Sequence, residues 1–277
     1  MTCPNIPRIR LLCMESKFID AFLIALAKHW PEITTKTSAP TPNTETDGDS
    51  SSASVITIPS SPINLSIHDV SLSSLSASTK FDLIVSPANS YGRLDGSFDD
   101  AISRAFCRPD RPYETLTHAA QDTLYEKYRG FAPPGSCTLV PFPGALLDQN
   151  GKGKNRWGCR WLGLCPTMRT PDDVRWDREV VYECIWSLLC AVDGWNRGLE
   201  QRDTGEVFEE RIESVLMTPL ATGCGMVSAQ RWAEQFVLAM KHYVDAVERP
   251  QRWKRLGWGE IQRDTGEVEK TWKEKKP

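Results

Sequence analysis

The sequence lacks the features that mark several common classes of protein. No apolar run is long enough to span a bilayer, and no basic-then-apolar segment follows Met1, so neither a membrane span nor a secretory signal peptide is predicted. The nine cysteines include no Cys-x-x-Cys pair. An odd count without that spacing favours reduced thiols over a disulfide framework or a zinc site. We therefore expect a cytoplasmic or nuclear protein with no membrane partner.

Metal-ligand spacing and a strong charge of one sign are also missing. The four histidines stand far apart, at positions 29, 68, 118 and 242, so we expect no metal and no other cofactor, and only His68 is expected to border a pocket. The net charge of −3 and the pI near 5.9 give no general attraction to nucleic acid or to a membrane. Basic residues after position 249 alternate with acidic ones, which predicts a charged, solvated tail over residues 249–277.

The sequence does contain enough apolar material for a sizeable core. Of the 277 residues, 40% are hydrophobic and ten are Trp. Residues 34–54 are rich in Ser, Thr, Pro, Asp and Gly, so they are interpreted as a disordered insertion or loop within a single domain that spans residues 1–248. Apolar patterns predict strands at 9–13, 54–58, 63–70, 81–85, 136–142, 161–166 and 213–219, and helices at 18–30, 98–106, 113–128, 176–195 and 229–244.

The stretch from residue 81 to residue 102 is central to the candidate site. Its apolar run ends at a proline, which lacks a ladder donor, a polar loop with two glycines follows, and a helix begins near Phe98. Asn89, Asp95 and Asp99 therefore lie between the carboxyl end of a strand and the amino end of a helix. In open α/β sheets that crevice binds ligands, and the free N–H groups of the helix favour anions.

A second loop with ligand-binding chemistry follows the predicted strand at 213–219. Thr222-Gly223-Cys224-Gly225 places two glycines ahead of a helix for which Ser228 is a good N-cap. Glycine lets backbone N–H groups approach phosphate oxygens closely, and the helix dipole adds to the attraction. Two interpretations of Cys224 stand: a small apolar residue under the loop, or a reactive thiol at the helix N-terminus.

Three motifs in this order resemble the macrodomain family, whose members bind ADP-ribose. The resemblance covers residues 63–244 and implies a three-layer α/β/α fold with a mixed, mostly parallel sheet and an N-terminal strand-helix extension. Within that family, the sequence resembles most the fungal macro-like group of ADP-ribose 1''-phosphate phosphatases. The matching segments are Ala88-Asn89-Ser90 with Gly96 and residues 98–102, His68-Asp69-Val70-Ser71 in place of Gly-Asp-Ile-Thr, and Thr222-Gly223-Cys224-Gly225 as the phosphate loop.

The resemblance also implies a role for each segment. Asp69 and Val70 would hold adenine, although an Asp at a strand end also commonly caps a turn. Residues 221–226 would wrap the pyrophosphate. Asn89 would bond hydroxyls of the distal ribose, and Asp99 would orient or activate the attacking water. The expected ligand-binding residues are Asp69, Val70, Ala88, Asn89, Ser90, Asp95, Gly96, Ser97, Phe98, Ala221, Thr222, Gly223, Cys224, Gly225 and Met226, with Asn89 and Asp99 catalytic.

The first loop departs from the family's hydrolases, which have Asn-Ala-Ala-Asn and three consecutive glycines. Here Ser86 replaces the first amide, and Leu94 and Asp95 are expected to stiffen and crowd the loop. Three functions therefore stay open. They are a hydrolase acting on ADP-ribose 1''-phosphate or on an ADP-ribosylated protein or nucleic acid, a non-catalytic ADP-ribose reader, and a protein-interaction scaffold with a degenerate pocket. A monomer is expected in each case.

One repeated segment has no function in this interpretation. The sequence QRDTGEV occurs at residues 201–207 and again at residues 262–268. Seven residues are too few for a solenoid repeat, whose units are tens of residues long. Asp-Thr-Gly predicts a turn in both copies.

Overall fold

The structure, a computed structural model, describes residues 6–34, 43–44, 54–60, 63–148, 153–201 and 211–273. The insertion predicted at residues 34–54 therefore lies largely outside the described residues. The described strands are β1 Arg8–Leu12, β2 Asn43–Thr44, β3 Ser54–Ser60, β4 Ile63–His68, β5 Leu83–Ser86, β6 Thr138–Pro141, β7 Trp161–Leu164 and β8 Ser214–Met217. The described α-helices are α1 Ser16–His29, α2 Pro31–Thr34, α3 Ser97–Phe106, α4 Thr115–Tyr128, α5 Val180–Gln201, α6 Ala229–Glu248, α7 Pro250–Trp253 and α8 Trp258–Glu269.

The strands form one mixed sheet in the order β2-β3-β4-β1-β8-β5-β7-β6. The five central strands, from β4 to β7, are parallel, and strands at both margins run antiparallel to their neighbours. Carboxyl ends of parallel strands meet at one edge of a sheet, so the segments that follow the five central strands converge there. The N-terminal strand β1 lies in the middle of the sheet, between β4 and β8.

Helices cover both faces of the sheet, which confirms the expected three-layer α/β/α architecture. Successive residues of a strand point to opposite faces. In β5, Val85 belongs to the same apolar cluster as Phe22 of α1, Leu188 of α5 and Phe236 of α6. Its neighbour Ile84 packs on the opposite side with α3 and α4. Because central parallel strands are buried on both faces, they appear in the sequence as short continuous apolar runs. Among the described helices, none is long and apolar enough to cross a membrane.

The C-terminal segment differs from the solvated tail that composition predicted. Helices α7 and α8 pack against α5 and α6. Arg252 lies among three carboxylates, with N–O distances of 2.5 Å to Asp245, 3.2 Å to Glu260 and 2.5 Å to Asp264. The Trp253 ring lies 5.3 Å from that of Trp186. The alternating charges thus join helices to one another, a role that composition alone does not distinguish from exposure to solvent.

The second copy of the repeated heptapeptide lies inside α8, so the turn predicted at residues 262–268 is wrong. Tertiary contacts override the weak helix propensity of Thr265 and Gly266. Val268 is buried, and Lys241 Nζ of α6 lies 2.9 Å from Glu267. In the first copy, Gln201 ends α5, and residues 202–207 lie outside the described residues.

Candidate ligand-binding site

A cavity of about 1160 Å³ opens at the edge where the five parallel strands end. Residues that follow each of these strands contribute to its wall, from Met14 after β1 to Thr218 after β8. Helix α3 forms a further side. The structure brings together most of the predicted site residues around this cavity, namely Val70, Ala88, Asn89, Asp95, Gly96, Ser97, Phe98, Asp99, Ala221, Thr222, Gly223, Cys224 and Gly225.

Three predicted residues lie outside the cavity wall. Ser90 is buried, and both its amide and its hydroxyl donate to the Met168 carbonyl, at 2.9 and 3.2 Å. Asp69 and Met226 have exposed side chains that do not reach the wall. His68, expected to border the pocket, is also buried away from it, and burial lowers its pKa to about 4. Ser90 therefore bonds the first loop to the segment after β7 and offers no polar group to the cavity.

Asp99 is a buried carboxyl at the cavity wall. It lies in the first turn of α3 and is 7% exposed, and the hydroxyl of Ser86, at the end of β5, donates to Oδ1 at 2.6 Å. Burial raises the pKa of Asp99 to about 7 against the opposing Ser86 hydrogen bond, with a smaller contribution from the charge of Asp95 in the same direction. A carboxyl with such a pKa can exchange a proton near neutral pH.

Asn89 uses most of its amide to shape the first loop. Its Oδ1 accepts from the amides of Tyr91 and Arg93, at 3.0 and 3.4 Å, and its Nδ2 donates to the Arg93 carbonyl at 2.8 Å. This is the local side-chain turn that Asn favours. Because Nδ2 carries two hydrogens, one N–H is left for a group in the cavity.

The two departures in the first loop have different consequences. Leu94 is fully buried with its amide donating to Thr117 Oγ1 at 3.3 Å and its carbonyl accepting from Ser103 at 2.6 Å. It therefore stiffens the loop, as expected, but does not crowd the cavity, whose wall excludes it. Asp95 forms an exposed ion pair with Arg93. Ser97 has φ of 48° at the start of α3, a strained conformation for a residue with a side chain.

The second loop, residues 218–228, is held by backbone hydrogen bonds. The Val227 amide donates to the Ala221 carbonyl at 3.1 Å, and the Met226 amide to the Gly223 carbonyl at 3.0 Å. Ser228 caps α6 as predicted, accepting from the Arg231 amide at 3.2 Å. A Cβ at position 225 would lie 2.5 Å from the Ala221 carbonyl oxygen, whereas at Gly223 it would meet nothing within 4 Å. The close approach thus requires glycine only at position 225.

The amides of the second loop are available to an anion. Within the described part of the chain, the N–H groups of Thr222, Gly223, Cys224 and Gly225 make no hydrogen bond. Successive free amides beside a helix N-terminus form an anion-binding concavity. The arrangement suits a phosphate or a pyrophosphate. The groups of His, Cys, Asp and Glu among the described residues include none suited to hold a metal ion.

The loop after residue 170 packs beside this concavity, where the sequence predicted the start of a helix. Helix α5 begins only at Val180, and earlier in the loop Asp173 Oδ1 accepts from the Arg175 amide at 2.9 Å in a tight turn. The Val174 amide donates to the Gly225 carbonyl at 3.1 Å. This loop therefore supports the glycine-rich loop from outside.

Sequence reasoning missed the basic part of the cavity wall. Arg104 pairs with Asp100 at 2.8 Å, and Arg156 donates to the Ser73 carbonyl at 2.6 Å while lying over the Trp157 ring. The basic residues come from separate segments with no shared motif, and only the spacing of four between Asp100 and Arg104 is visible in the sequence. The full basic set at the wall is Arg93, Arg104, Arg108, Lys154 and Arg156.

Comparisons with known proteins give similarity to solved structures alone. No family model matches the chain, and no curated protein matches it. The Oceanobacillus iheyensis macrodomain with ADP aligns at 14% identity over 70% of this chain and 99% of that chain, with a TM-score of 0.38. The same macrodomain with MES bound aligns at 14% identity over 70% of this chain and 98% of that chain, with a TM-score of 0.36. A mutant of that macrodomain with ADPR aligns at 12% identity over 69% of this chain and 100% of that chain, also with a TM-score of 0.36. Values this low carry no argument for function, and the fold assignment rests on the strand order and the two helical layers.

Proposed function

We propose that this chain is a macrodomain that binds ADP-ribose in the cavity and hydrolyses a bond at the distal ribose. The observation that carries the proposal is the position of Asp99, a buried carboxyl with a pKa of about 7 in the same cavity wall as a loop of free amides. A cavity of about 1160 Å³ is slightly larger than the usual range of about 300–1,000 Å³ for ligand sites, so a dinucleotide-sized ligand fits.

Each part of the ligand has a matching part of the wall. The amides of Thr222 to Gly225 suit the pyrophosphate. Val70 offers an apolar contact to adenine, whereas Asp69 lies outside the cavity wall and is left out of this role. The remaining N–H of Asn89 suits a hydroxyl of the distal ribose. In this orientation the distal ribose lies against the loop from Gly96 to Asp99.

In the proposed reaction Asp99 acts as a general base. The ionised carboxylate accepts a proton from water, the water oxygen bonds to the anomeric carbon, and the bond from that carbon to the leaving group breaks. The hydrogen bond from Ser86 holds the carboxylate in place. The leaving group is phosphate for ADP-ribose 1''-phosphate, or the side chain or end group of an ADP-ribosylated macromolecule. Membership of the fungal macro-like phosphatase group, a cytoplasmic or nuclear location and a monomeric state are parts of the same proposal.

Replacing the carboxyl by an amide separates binding from chemistry. In Asp99→Asn, single-turnover hydrolysis of ADP-ribose 1''-phosphate or of a mono-ADP-ribosylated protein should fall about 10²–10⁴-fold. Calorimetric titration should give an ADP-ribose affinity within about threefold of the wild type, because the pyrophosphate loop is unchanged. Asp122→Asn, the same change at an exposed position of α4, is the matched control. Unchanged turnover in Asp99→Asn would remove Asp99 from the mechanism.

The non-catalytic reader is the second candidate, and the first loop favours it. Asn89, Leu94 and the Arg93–Asp95 pair bond this loop to itself and to the core, which suits rigid recognition as well as turnover. Titration with ADP-ribose, with AMP and ADP as controls, distinguishes the candidates when combined with the turnover assay. Saturable binding without hydrolysis indicates a reader. No binding at high ligand concentration indicates a scaffold.

A further inference from the structure

Three thiols gather on one face of the sheet, apart from the residues of the cavity wall. Cys137 precedes β6, Cys165 follows β7, and Cys184 lies in α5, and all three contact the core between the sheet and the layer of α1, α5 and α6. Cys165 and Cys184 are fully buried, whereas Cys137 is only half-buried. Small oxidants can therefore reach the group through Cys137.

The strand register places Cys137 directly opposite Cys165. Thr138 of β6 pairs with Leu164 of antiparallel β7, so the next positions outward, 137 and 165, face one another. The Phe142 amide, next to β6, donates to the Arg160 carbonyl, next to β7, whereas the Cys165 amide donates to the Ser86 carbonyl of β5 on the other side. The backbone groups of successive residues in a strand point to opposite neighbours. Even-numbered residues in this part of the chain therefore bond to β6, and odd-numbered ones such as Cys165 bond to β5.

The pair at 137 and 165 is consequently a non-hydrogen-bonded cross-strand pair. The Cα atoms of such pairs lie about 4.5 Å apart, with their side chains on the same face. Disulfides span Cα separations of about 4.4–6.8 Å. The neighbouring Cys137 side chain is also the largest cause of the raised pKa of the Cys165 thiol. The register thus places the two side chains in the arrangement of a cross-strand disulfide.

We propose that Cys137 and Cys165 form a reversible disulfide by reaction with hydrogen peroxide. The Cys137 thiolate attacks one peroxide oxygen, an S–O bond forms, the O–O bond breaks, and one water leaves after protonation. The Cys165 sulfur then attacks the resulting sulfenic acid. The S–S bond forms, the S–O bond breaks, and a second water leaves with the Cys165 proton. The two sulfurs together lose two electrons, and peroxide is reduced to two waters.

The surroundings of Cys165 keep its thiol protonated. The nearby Cys137 and burial raise the pKa of Cys165 well above the ordinary value of a thiol. Cys184 donates to the Pro166 carbonyl at 3.5 Å and lies on a helix, outside the strand pair.

Peptide mapping of the oxidised full chain tests the proposal. The starting variant carries Cys107→Ser, Cys190→Ser and Cys224→Ser, which removes the exposed thiols of the described residues, together with Cys3→Ser, since Cys3 lies outside the described residues; these thiols would otherwise link two molecules. After treatment with hydrogen peroxide and alkylation of free thiols, mass spectrometry should find one peptide pair joined through positions 137 and 165. Dithiothreitol should release it. The oxidised form should also melt at a higher temperature than the reduced form, since the cross-link restricts the unfolded chain.

Two further variants decide between outcomes. Cys184→Ala should still form the same peptide pair, whereas Cys137→Ser should form none and should show no rise in melting temperature with peroxide. A disulfide from Cys165 to any other cysteine, or Cys137 converted to a sulfinic acid with Cys165 still free to react after denaturation, would overturn the proposal. These readouts do not depend on ADP-ribose, so they stand or fall separately from the proposed function.

Discussion

The two loops that face each other across the cavity use their polar groups in opposite ways. The first loop, residues 87–98, consumes its own polar side chains, since Asn89 bonds Tyr91 and Arg93, and Arg93 pairs with Asp95. The second loop, residues 218–228, leaves the amides of residues 222–225 free. The first is therefore suited to fix the position of one carboxyl, and the second to donate to an anion.

The loops also differ in what a single side chain can disturb. The key group of the first loop region is the buried carboxyl of Asp99. Because burial raises its pKa, the free energy of unfolding of the protein depends on pH through this group. The key feature of the second loop is a backbone shape, which depends on the absence of a side chain at position 225. Changes that alter one property while sparing the other test this contrast.

The largest effect is expected from pH acting on Asp99. Its pKa of about 7 in the folded protein is above the ordinary 3.8, so between these values the folded chain holds a proton that the unfolded chain has released. The protonated carboxyl therefore stabilises the folded chain at low pH, and this contribution is lost as the pH rises through 7. The free energy of unfolding should fall by about 3 kcal/mol between pH 5 and 8. Urea unfolding of wild type and Asp99→Asn at both pH values should show the variant gaining this amount relative to the wild type. Parallel pH profiles would contradict the assignment.

A methyl group at position 225 should break the second loop. Gly225→Ala places a Cβ 2.5 Å from the Ala221 carbonyl oxygen and 2.9 Å from Val174, so the loop must change shape. ADP-ribose affinity measured by calorimetry should fall about 100-fold, equivalent to about 2.7 kcal/mol. Gly194→Ala in α5, outside the cavity wall, is the matched control, because that Cβ meets nothing within 4 Å. Equal affinities for the two variants would show that the loop shape is not what binds the ligand.

Removing the hydroxyl beside Asp99 should shift the pH dependence of turnover. The Ser86 hydrogen bond lowers the pKa of Asp99 against the effect of burial, so Ser86→Ala should raise it. The rise of turnover with pH should then move upward by about one unit, as expected for one hydrogen bond to a charged group. Ser78→Ala, at an exposed position, should leave the profile unchanged. A downward shift in Ser86→Ala would contradict the role of the hydroxyl.

The smallest effect is expected at the exposed pair of the first loop. Asp95 raises the pKa of Asp99 as the last of three causes, so Asp95→Asn should move the pH profile slightly downward, opposite to Ser86→Ala. An exposed ion pair contributes about 0–1 kcal/mol to stability, and ADP-ribose affinity should change by no more than about threefold. Urea unfolding measures the change in stability, and calorimetric titration at the same pH measures the change in affinity. A large loss of affinity would mean that the first loop also holds the ligand directly.

Apolar patterns were sufficient to predict the strands and helices around the site, with the exception of the start of α5. The pattern at residues 81–106 predicts β5 and α3, and Ser228 marks the start of α6. The strand order is not predictable in this way, since nothing in the apolar runs states that β8 pairs with β1 and β5. Charge patterns misled at the C-terminus, because pairs between helices look like a solvated tail.

The candidate site was predicted as loops rather than as an arrangement of groups. The glycines and Asp99 are visible in the sequence, but the pKa of Asp99 depends on burial under elements from other parts of the chain. Arg104 and Arg156 reach the same cavity from positions 52 residues apart. Such residues become neighbours only through the fold, and no local pattern identifies them.

The position of β8 has a consequence for synthesis of the protein. This strand is the last of the described strands along the chain, yet it lies between β1 and β5 at the centre of the sheet. A nascent chain that ends before Ser214 therefore carries two partial sheets, each with an unpaired edge. Exposed edges invite pairing with other chains. The growing polypeptide is thus most in need of chaperone protection until its final strand emerges from the ribosome and joins the two halves.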